Sequence, residues 1–285
     1  MNLADTLARY FIDHGHYGLI RNESESAFKT ANPFTLNDEQ LPPVDVASIP
    51  TSMGVSDWMT IENQGQVGSC QGHARTSACE LAIYRETKAK PPQLNRMYAY
   101  LTSQKVDGIR GDMGSTIDGG AKASQEYGDC LESLWPYSGR YTAFSSIPQA
   151  CFADGRLRTL RTFQTLRSYE QVLRWLVHGM GGIVIGIGWN RTCEPDNDGK
   201  ITSYRSGGGG HALALLDWNK AYADSKSNPF IEMYNSWGKG WGNSGIAYVH
   251  PNIIDQWCED ETVIGYSDMD GTAIHARPFD LAGGL

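Results

Sequence analysis

The sequence predicts an α+β protein of two lobes, in which a mainly helical lobe precedes a lobe built on a twisted antiparallel sheet. In the first half, apolar residues recur at helical spacing over residues 70–88 and 95–105. In the second half, short β-rich runs such as 183–187 and 230–235 alternate with glycine turns. A chain of 285 residues is long enough for two lobes that share a sizeable core.

Composition and charge argue against nucleic acid and membranes as binding partners. The net charge is −8 and the Lys and Arg residues form no dense block, so nucleic acid is not expected as a partner. The most apolar run, 182–189, falls well short of the ~20 residues that span a bilayer, so no membrane segment is expected.

The first residues of the chain bear on its location. They lack the basic start and the unbroken apolar run of a secretory signal. We therefore expect a cytoplasmic protein, or one that is not exported through a cleaved signal. A component of a virion or of another assembly stays open as an alternative.

The chain begins with an extension, residues 1–40, that precedes the main domain. Residues 2–14 place Leu3, Leu7, Tyr10 and Phe11 on one helical face, which predicts a short amphipathic helix, and a polar linker follows. We expect this helix to pack on the main domain rather than to cap a functional site. The main domain is expected over residues 41–270 and a C-terminal tail over 271–285.

Within the main domain, the helical lobe is predicted at about 56–155 and the β lobe at about 156–250. The predicted helices of the first lobe cover 70–88, 95–105 and 120–127. In the second lobe, the pattern predicts a helix at 168–178, four strands at 183–187, 211–218, 230–235 and 245–249, and a terminal helix at 252–260.

One cysteine stands at the predicted start of a helix. The loop at residues 63–72 is rich in glycine and delivers Cys70 to the first turn of the helix predicted at 70–88. Unpaired N–H groups and the helix dipole stabilise an anion there, which favours the thiolate form of a thiol whose reference pKa is about 8.5. Cys70 is therefore a candidate nucleophile, although a cysteine at a helix start is by itself a weak signal and a buried inert thiol is the alternative.

Two later segments carry the groups that such a thiolate would need. His211 stands at the mouth of an apolar strand after four glycines, and Asn235 follows within the run Asn-Ser-Trp-Gly-Lys-Gly-Trp-Gly. Together with Gln-Gly-Gln-Val-Gly-Ser-Cys before them, these segments resemble the catalytic motifs of the papain family of cysteine peptidases. The resemblance covers about residues 41–269 and implies a papain-like two-lobed fold with the active-site cleft between the lobes.

The resemblance also implies a role for each motif residue. Cys70 and His211 would form a thiolate–imidazolium pair, and Asn235 would hold the imidazole through its far nitrogen. Trp237 would cover that hydrogen bond. Gln64 and the backbone N–H of Cys70 would stabilise the oxyanion of the tetrahedral intermediate. This set predicts a cysteine-type endopeptidase that cleaves polypeptides through a covalent acyl-enzyme and needs no cofactor.

Substrate-binding residues follow from the same resemblance. The run Asp118-Gly119-Gly120 resembles the family's Asn-Gly-Gly segment, in which glycine lets a substrate backbone approach closely. Gly210 falls near a position that shapes the pocket for the side chain two residues before the cut. Gln71 stands where most relatives have tryptophan, and His73 stands where they have an aromatic residue, so His73 is expected in the core rather than as the catalytic base.

The cysteines predict neither a metal site nor a disulfide framework. The chain has six of them and no CxxC pair. The positions of the bridge that secreted papain relatives carry are expected to hold Val67 and Ile117. The loss of both partners predicts a protein that folds in a reducing compartment, with six free thiols.

Two other functions remain alternatives. A related Cys-His enzyme could hydrolyse amide bonds of cell-wall peptidoglycan, although the Asn-Ser-Trp-Gly run is atypical of those families. A papain-fold structural or assembly protein could use its activity once or not at all, and would engage other proteins through the N- and C-terminal extensions.

Overall fold

The computed structural model describes residues 18–20 and 41–269. Helices pack against a mixed seven-stranded sheet, and the fold is the predicted α+β papain-like fold of two lobes. The helix predicted at residues 2–14 and the tail predicted at 271–285 lie outside the described residues. None of the helices within the described part of the chain has the length and apolar character needed to cross a membrane.

Six α-helices are described in this part of the chain. The first three form most of the helical lobe, and each begins where its sequence supplies a start signal or a loop rich in glycine. The helices are α1 Cys70–Thr87, α2 Arg96–Asp107, α3 Ile117–Glu126, α4 Gln149–Gly155, α5 Tyr169–Val177 and α6 Pro251–Asp260.

Capping side chains set the starts of α2 and α3. Asn95 accepts a hydrogen bond from the backbone N–H of Tyr98, and Thr116 accepts one from that of Gly119. Each bond satisfies an N–H group that has no partner inside the helix. Helix α3 therefore begins three residues earlier than the predicted range 120–127 and includes Gly119 and Gly120.

Helix α1 lies between the two lobes. It packs against α2 on one side and against the sheet on the other. Its buried Arg75 forms an ion pair with Asp129 at 2.9 Å and donates to the carbonyl oxygen of Gly128 at 2.8 Å. These contacts hold α1 firmly in the helical lobe, so its N-terminus has a fixed position against the sheet.

The sheet has the strand order β1-β7-β2-β4-β5-β6-β3. Neighbouring strands are antiparallel, except that β3 is parallel to β6. The strands are β1 Leu160–Thr165, β2 Ile183–Trp189, β3 Lys200–Ile201, β4 Gly209–Ala223, β5 Pro229–Tyr234, β6 Ile246–Val249 and β7 Thr262–Met269.

The sheet is larger than the four predicted strands. Strand β4 runs well past the predicted end at residue 218, and β7 lies beyond residue 250, where the β lobe was expected to end. Strand β7 is nearly all buried between β1 and β2, so it lacks the alternation of polar and apolar residues that marks a half-exposed strand. The pairing of β2 with β4 places His211 opposite Ile187.

Candidate active site

Cys70 lies against β4 at the residue that follows His211. Cys70 is the first residue of α1 and is fully buried. Its thiol is within hydrogen-bonding reach of the backbone N–H of Ala212, the residue after His211 on β4. The fold therefore brings the candidate nucleophile and the candidate base together from opposite lobes.

Asn235 holds the ring of His211. The Nε2 atom of His211 lies 2.8 Å from Oδ1 of Asn235, and the backbone N–H of Ser236 donates to the same oxygen at 2.8 Å. An atom that accepts from a backbone N–H must be the amide oxygen, so His211 Nε2 must donate a proton to it. In a neutral ring the proton is then on Nε2, and Nδ1 is the basic nitrogen.

Two tryptophans enclose this histidine. Trp237 stacks on the His211 ring with centroids 4.6 Å apart, and Trp189 meets the ring edge-on at 5.3 Å. The carboxylate of Glu194 accepts from the indole N–H groups of Trp189 and Trp241, each at 3.0 Å. The sequence singled out Trp237 but neither Trp189 nor Glu194, because no motif links them to His211 before the sheet forms.

Gln64 is buried beside this group. Its side-chain Nε2 donates to the carbonyl oxygen of Val67 at 2.9 Å, and its Oε1 accepts from the hydroxyl of Ser236 at 2.6 Å. The hydroxyl of Tyr137 donates to the Gln64 carbonyl oxygen at 2.9 Å. The amide is therefore fixed in the loop that precedes Cys70 and is tied to the residue after Asn235.

Residues 18–20 of the N-terminal extension lie across the cleft. The N–H of Leu19 donates to the carbonyl oxygen of Gly210 at 3.0 Å, on the β side. On the helical side, Ile20 N–H donates to Ser115 at 3.0 Å and Ser115 N–H donates to Gly18 at 2.9 Å, in parallel pairing. This part of the extension therefore occupies the cleft. The helix predicted at residues 2–14, for which packing on the domain was expected, lies outside the described residues.

The side chain of Leu19 fills an apolar pocket. Leu19 is 6% exposed, and its side chain lies with that of Ile117 in the space beside Gly186. A side chain on Gly186 would overlap both residues, and a Cβ on Gly210 would stand 2.2 Å from the Leu19 carbonyl oxygen. Gly210 thus lies directly against the backbone of Leu19, and the absence of its side chain permits the close approach.

Gly119 and Gly120 do not line the cleft. They lie in the first turn of α3, where a Cβ on Gly119 would stand 2.0 Å from the Asp107 carboxylate and one on Gly120 would stand 1.5 Å from the Gln71 amide. Both glycines are therefore required by packing inside the helical lobe. The residue that approaches the bound backbone is Gly114, with φ of 83° and a Cβ position only 1.9 Å from the Gly18 oxygen.

The expected bridge positions are not neighbours either. Val67 and Ile117 belong to separate apolar clusters. A hydrogen bond joins the loop before Cys70 to the region before α3: the backbone N–H of Gly68 donates to the Asp112 carboxylate at 2.9 Å. All six cysteines lie in the described part of the chain, are buried and form no disulfide there.

Burial disfavours the charged form of both candidate residues, Cys70 and His211, in this arrangement. Desolvation raises the pKa of the Cys70 thiol to about 11, although nearby backbone N–H groups, including that of Gly18, oppose the shift. Desolvation lowers the pKa of His211 to about 4, against the opposing effect of Asn235. A charged pair is costly when water is excluded on all sides, so the site with residues 18–20 in place differs from the ion pair that the resemblance implied.

Comparison with known protein families gives a match over most of the chain. The model of the family described as papain family cysteine protease matches residues 49–266, about three quarters of the chain. The matched range contains the candidate residues Gln64, Cys70, His211 and Asn235, and it ends within strand β7.

Solved structures share the fold at low sequence identity. Xylellain, a cysteine protease from Xylella fastidiosa, aligns with a TM-score of 0.68 and 18% identity over 90% of this chain and 96% of its own. Digestive procathepsin L 3 of Tenebrio molitor larval midgut aligns with a TM-score of 0.58 and 17% identity. The alignment covers 93% of this chain and 88% of the procathepsin chain. The bromelain protease from Ananas comosus, solved with the E64 inhibitor, aligns with a TM-score of 0.58 and 14% identity. The alignment covers 77% of this chain and 99% of the bromelain chain.

Proposed function

The chain belongs to the papain family of cysteine proteases, and from this premise we propose that it is an endopeptidase that works through Cys70, His211 and Asn235. The observation that carries the proposal is the meeting of the Cys70 thiol with the start of β4, where Asn235 holds His211 by a bond of 2.8 Å. A nucleophile, a base and a group that orients the base form a working unit for acyl transfer.

The first step transfers a proton from the Cys70 thiol to Nδ1 of His211. Because Nε2 donates to Asn235, Nδ1 is the nitrogen that accepts this proton. The Asn235 oxygen then stabilises the imidazolium, and the stacked Trp237 keeps water from that hydrogen bond. The resulting thiolate attacks the carbonyl carbon of the scissile peptide bond, and a C–S bond forms.

The tetrahedral intermediate carries its negative charge on the former carbonyl oxygen. The backbone N–H of Cys70 and the side-chain amide of Gln64 are the donors proposed for this oxyanion. His211 then returns its proton to the amine nitrogen, the C–N bond breaks, and a thioester joins the acyl group to Cys70. Water attacks this thioester while His211 accepts a proton, and the released thiolate completes the cycle.

This cycle requires residues 18–20 to leave the cleft. While they are bound, the Cys70 thiol is buried and its pKa is about 11, so little thiolate exists at neutral pH. Entry of substrate requires the hydrogen bonds of Leu19 to Gly210 and of Ile20 to Ser115 to be broken. We propose that the described arrangement is the resting form of the peptidase.

The test uses protein substrates and single substitutions. In a chain whose residues 18–20 have been displaced from the cleft by Leu19→Asp, Cys70→Ala and His211→Ala should each reduce cleavage of an unfolded protein by at least about a thousandfold, because the parts of such a unit act together. Cys258→Ala, which removes a buried thiol from α6, serves as the matched control and should leave cleavage intact. Mass spectrometry of the fragments should show internal cuts.

Other outcomes would favour the alternatives. Release of peptides from purified peptidoglycan, without cleavage of unfolded proteins, would support the cell-wall amide hydrolase. Absence of both activities after residues 18–20 have been displaced would support a structural or assembly protein. Undiminished cleavage by Cys70→Ala would refute the proposed mechanism.

A further inference from the structure

Several buried polar atoms have no hydrogen-bond partner among the described residues, and two of them lie close to the candidate site. One is Nε2 of His73, on the first turns of α1, and the other is Nδ2 of Asn235. His73 is 2% exposed and Asn235 is 4% exposed, so bulk water does not satisfy them. A buried donor or acceptor without a partner costs free energy, so each such atom in a folded protein requires an explanation.

The hydrogen-bonding roles of the two atoms are complementary. Nδ1 of His73 lies 3.0 Å from the backbone carbonyl oxygen of Ser69, which can only accept, so Nδ1 carries the proton and Nε2 is an acceptor. Asn235 Oδ1 already accepts from Ser236 N–H, so the other atom of that amide is the NH₂ group, a donor. One acceptor and one donor therefore lack partners.

Both residues line the same small pocket. It measures about 10 Å³, and its wall also includes Ser77, Ala212 and Leu213. A volume of this size holds the centre of one water molecule, and a buried water needs two or more polar partners. Glu62 also lines the pocket, but its carboxylate accepts from Arg96 and Gln93.

We propose that a single buried water accepts a hydrogen bond from Asn235 Nδ2 and donates one to His73 Nε2, which makes His73 a positioning residue for Asn235. The proposal rests on the proposed function, because positioning matters only if Asn235 orients the base.

The water would fix the orientation of the amide. A half-turn of the Asn235 amide would place its NH₂ group against His211 Nε2, and two donors would face each other. With Nδ2 anchored through water to His73, that half-turn breaks a hydrogen bond at each end of the amide. His73 stays neutral for this task because burial lowers its pKa to about 3, with Arg96 and His211 adding to the effect.

A crystal structure of the whole chain at high resolution tests the water directly. We expect a water peak within hydrogen-bonding distance of both His73 Nε2 and Asn235 Nδ2, and its loss in His73→Phe. A pocket without a water peak, or a water that contacts neither atom, would overturn the proposal. This arm needs no catalysis, so its failure is distinct from a failure of the peptidase assignment.

Kinetics test the consequence for catalysis. His73→Phe keeps the ring beside Tyr137 but removes the acceptor, and we expect kcat to fall about fivefold to tenfold with KM unchanged. His73→Gln places an amide oxygen near the former Nε2 and should restore most of kcat. Ser225→Ala, at an exposed position in the turn between β4 and β5, serves as the control that should change neither constant.

Three results would contradict the positioning role. These are full activity of His73→Phe, an equal loss in His73→Phe and His73→Gln, and a loss confined to KM. If His73→Phe fails to fold, the rescue by His73→Gln and the water peak in the unaltered chain still decide the proposal.

Discussion

The backbone N–H of Leu19 donates to the carbonyl oxygen of Gly210 at 3.0 Å, one residue before His211 on β4. This bond joins the N-terminal extension to the strand that carries the candidate base. Since Ser115 holds the same segment from the helical lobe, residues 18–20 bridge the two sides of the cleft. Access to Cys70 therefore depends on the stability of this short segment in the cleft.

Leu19→Asp should expose the nucleophile. A carboxylate in the apolar pocket beside Ile117 and Gly186 is disfavoured, so the segment should leave the cleft. We expect the rate of Cys70 alkylation by iodoacetamide at about pH 6 to rise at least about tenfold, because the thiolate–imidazolium pair can then form. Peptide mapping by mass spectrometry measures the rate at each cysteine.

The pH dependence of Cys70 alkylation should differ between the unaltered chain and Leu19→Asp. With the segment bound, the raised pKa of Cys70, about 11, predicts alkylation that increases only at alkaline pH. In Leu19→Asp the increase should begin well below the reference thiol pKa of about 8.5. Leu157→Asp, the same change at a leucine that is 59% exposed, is the control. Equal profiles for the two variants would show that residues 18–20 do not restrict the thiol.

Gln64→Ala should separate thiol reactivity from peptide hydrolysis. Alkylation builds no oxyanion, so its rate in the Leu19→Asp background should change little, whereas kcat for hydrolysis should fall about a hundredfold or more. Gln125→Ala, at an exposed position of α3, is the matched control. A parallel loss of both rates would mean that Gln64 acts by supporting the loop through Ser236 and Val67 instead.

Gly119→Ala should destabilise the fold. The new Cβ would overlap the Asp107 carboxylate, which accepts hydrogen bonds from the N–H and hydroxyl of Thr116. Disturbing these bonds should lower the free energy of unfolding by about 1–3 kcal/mol, measured by urea denaturation. Gly240→Ala meets nothing within 4 Å and should have almost no effect. An unchanged stability together with a raised KM would restore the role in substrate binding.

Stability should depend on pH through His73. The folded state holds this ring neutral with a pKa of about 3, so below the reference value of 6.5 the unfolded chain binds one more proton. Unfolding therefore becomes easier as pH falls. Between about pH 6.5 and pH 5.5, the unaltered chain should lose about 1 kcal/mol of unfolding free energy more than His73→Phe does. Parallel pH profiles for the two proteins would contradict the neutral buried ring.

Much of the site could be predicted from local sequence. The start of α1 at Cys70 follows from the glycine loop before it and the helical periodicity after it. The order of Cys70, His211 and Asn235 carried the resemblance to the papain family, and the family match now covers the same motifs. These features are local or depend only on chain order, so no knowledge of packing was needed.

The glycines show where such reasoning failed. Gly119 and Gly120 matched a short motif, but the motif could not reveal that Thr116 caps α3 and draws both residues into a helix. The residue that makes the close approach, Gly114, is identified only by its neighbour Gly18, which is distant in sequence.

The sequence by itself determined the chemistry that the chain can carry: a cysteine at a helix start, a histidine on a strand and an amide to hold it. The tertiary structure decided which surroundings those groups have. Burial raises the pKa of Cys70 and lowers the pKa of His211, because desolvation depends on every segment packed around a charge. The contacts of Asn235 with His211 and of His73 with Ser69 likewise arise only when α1 and the sheet pack together.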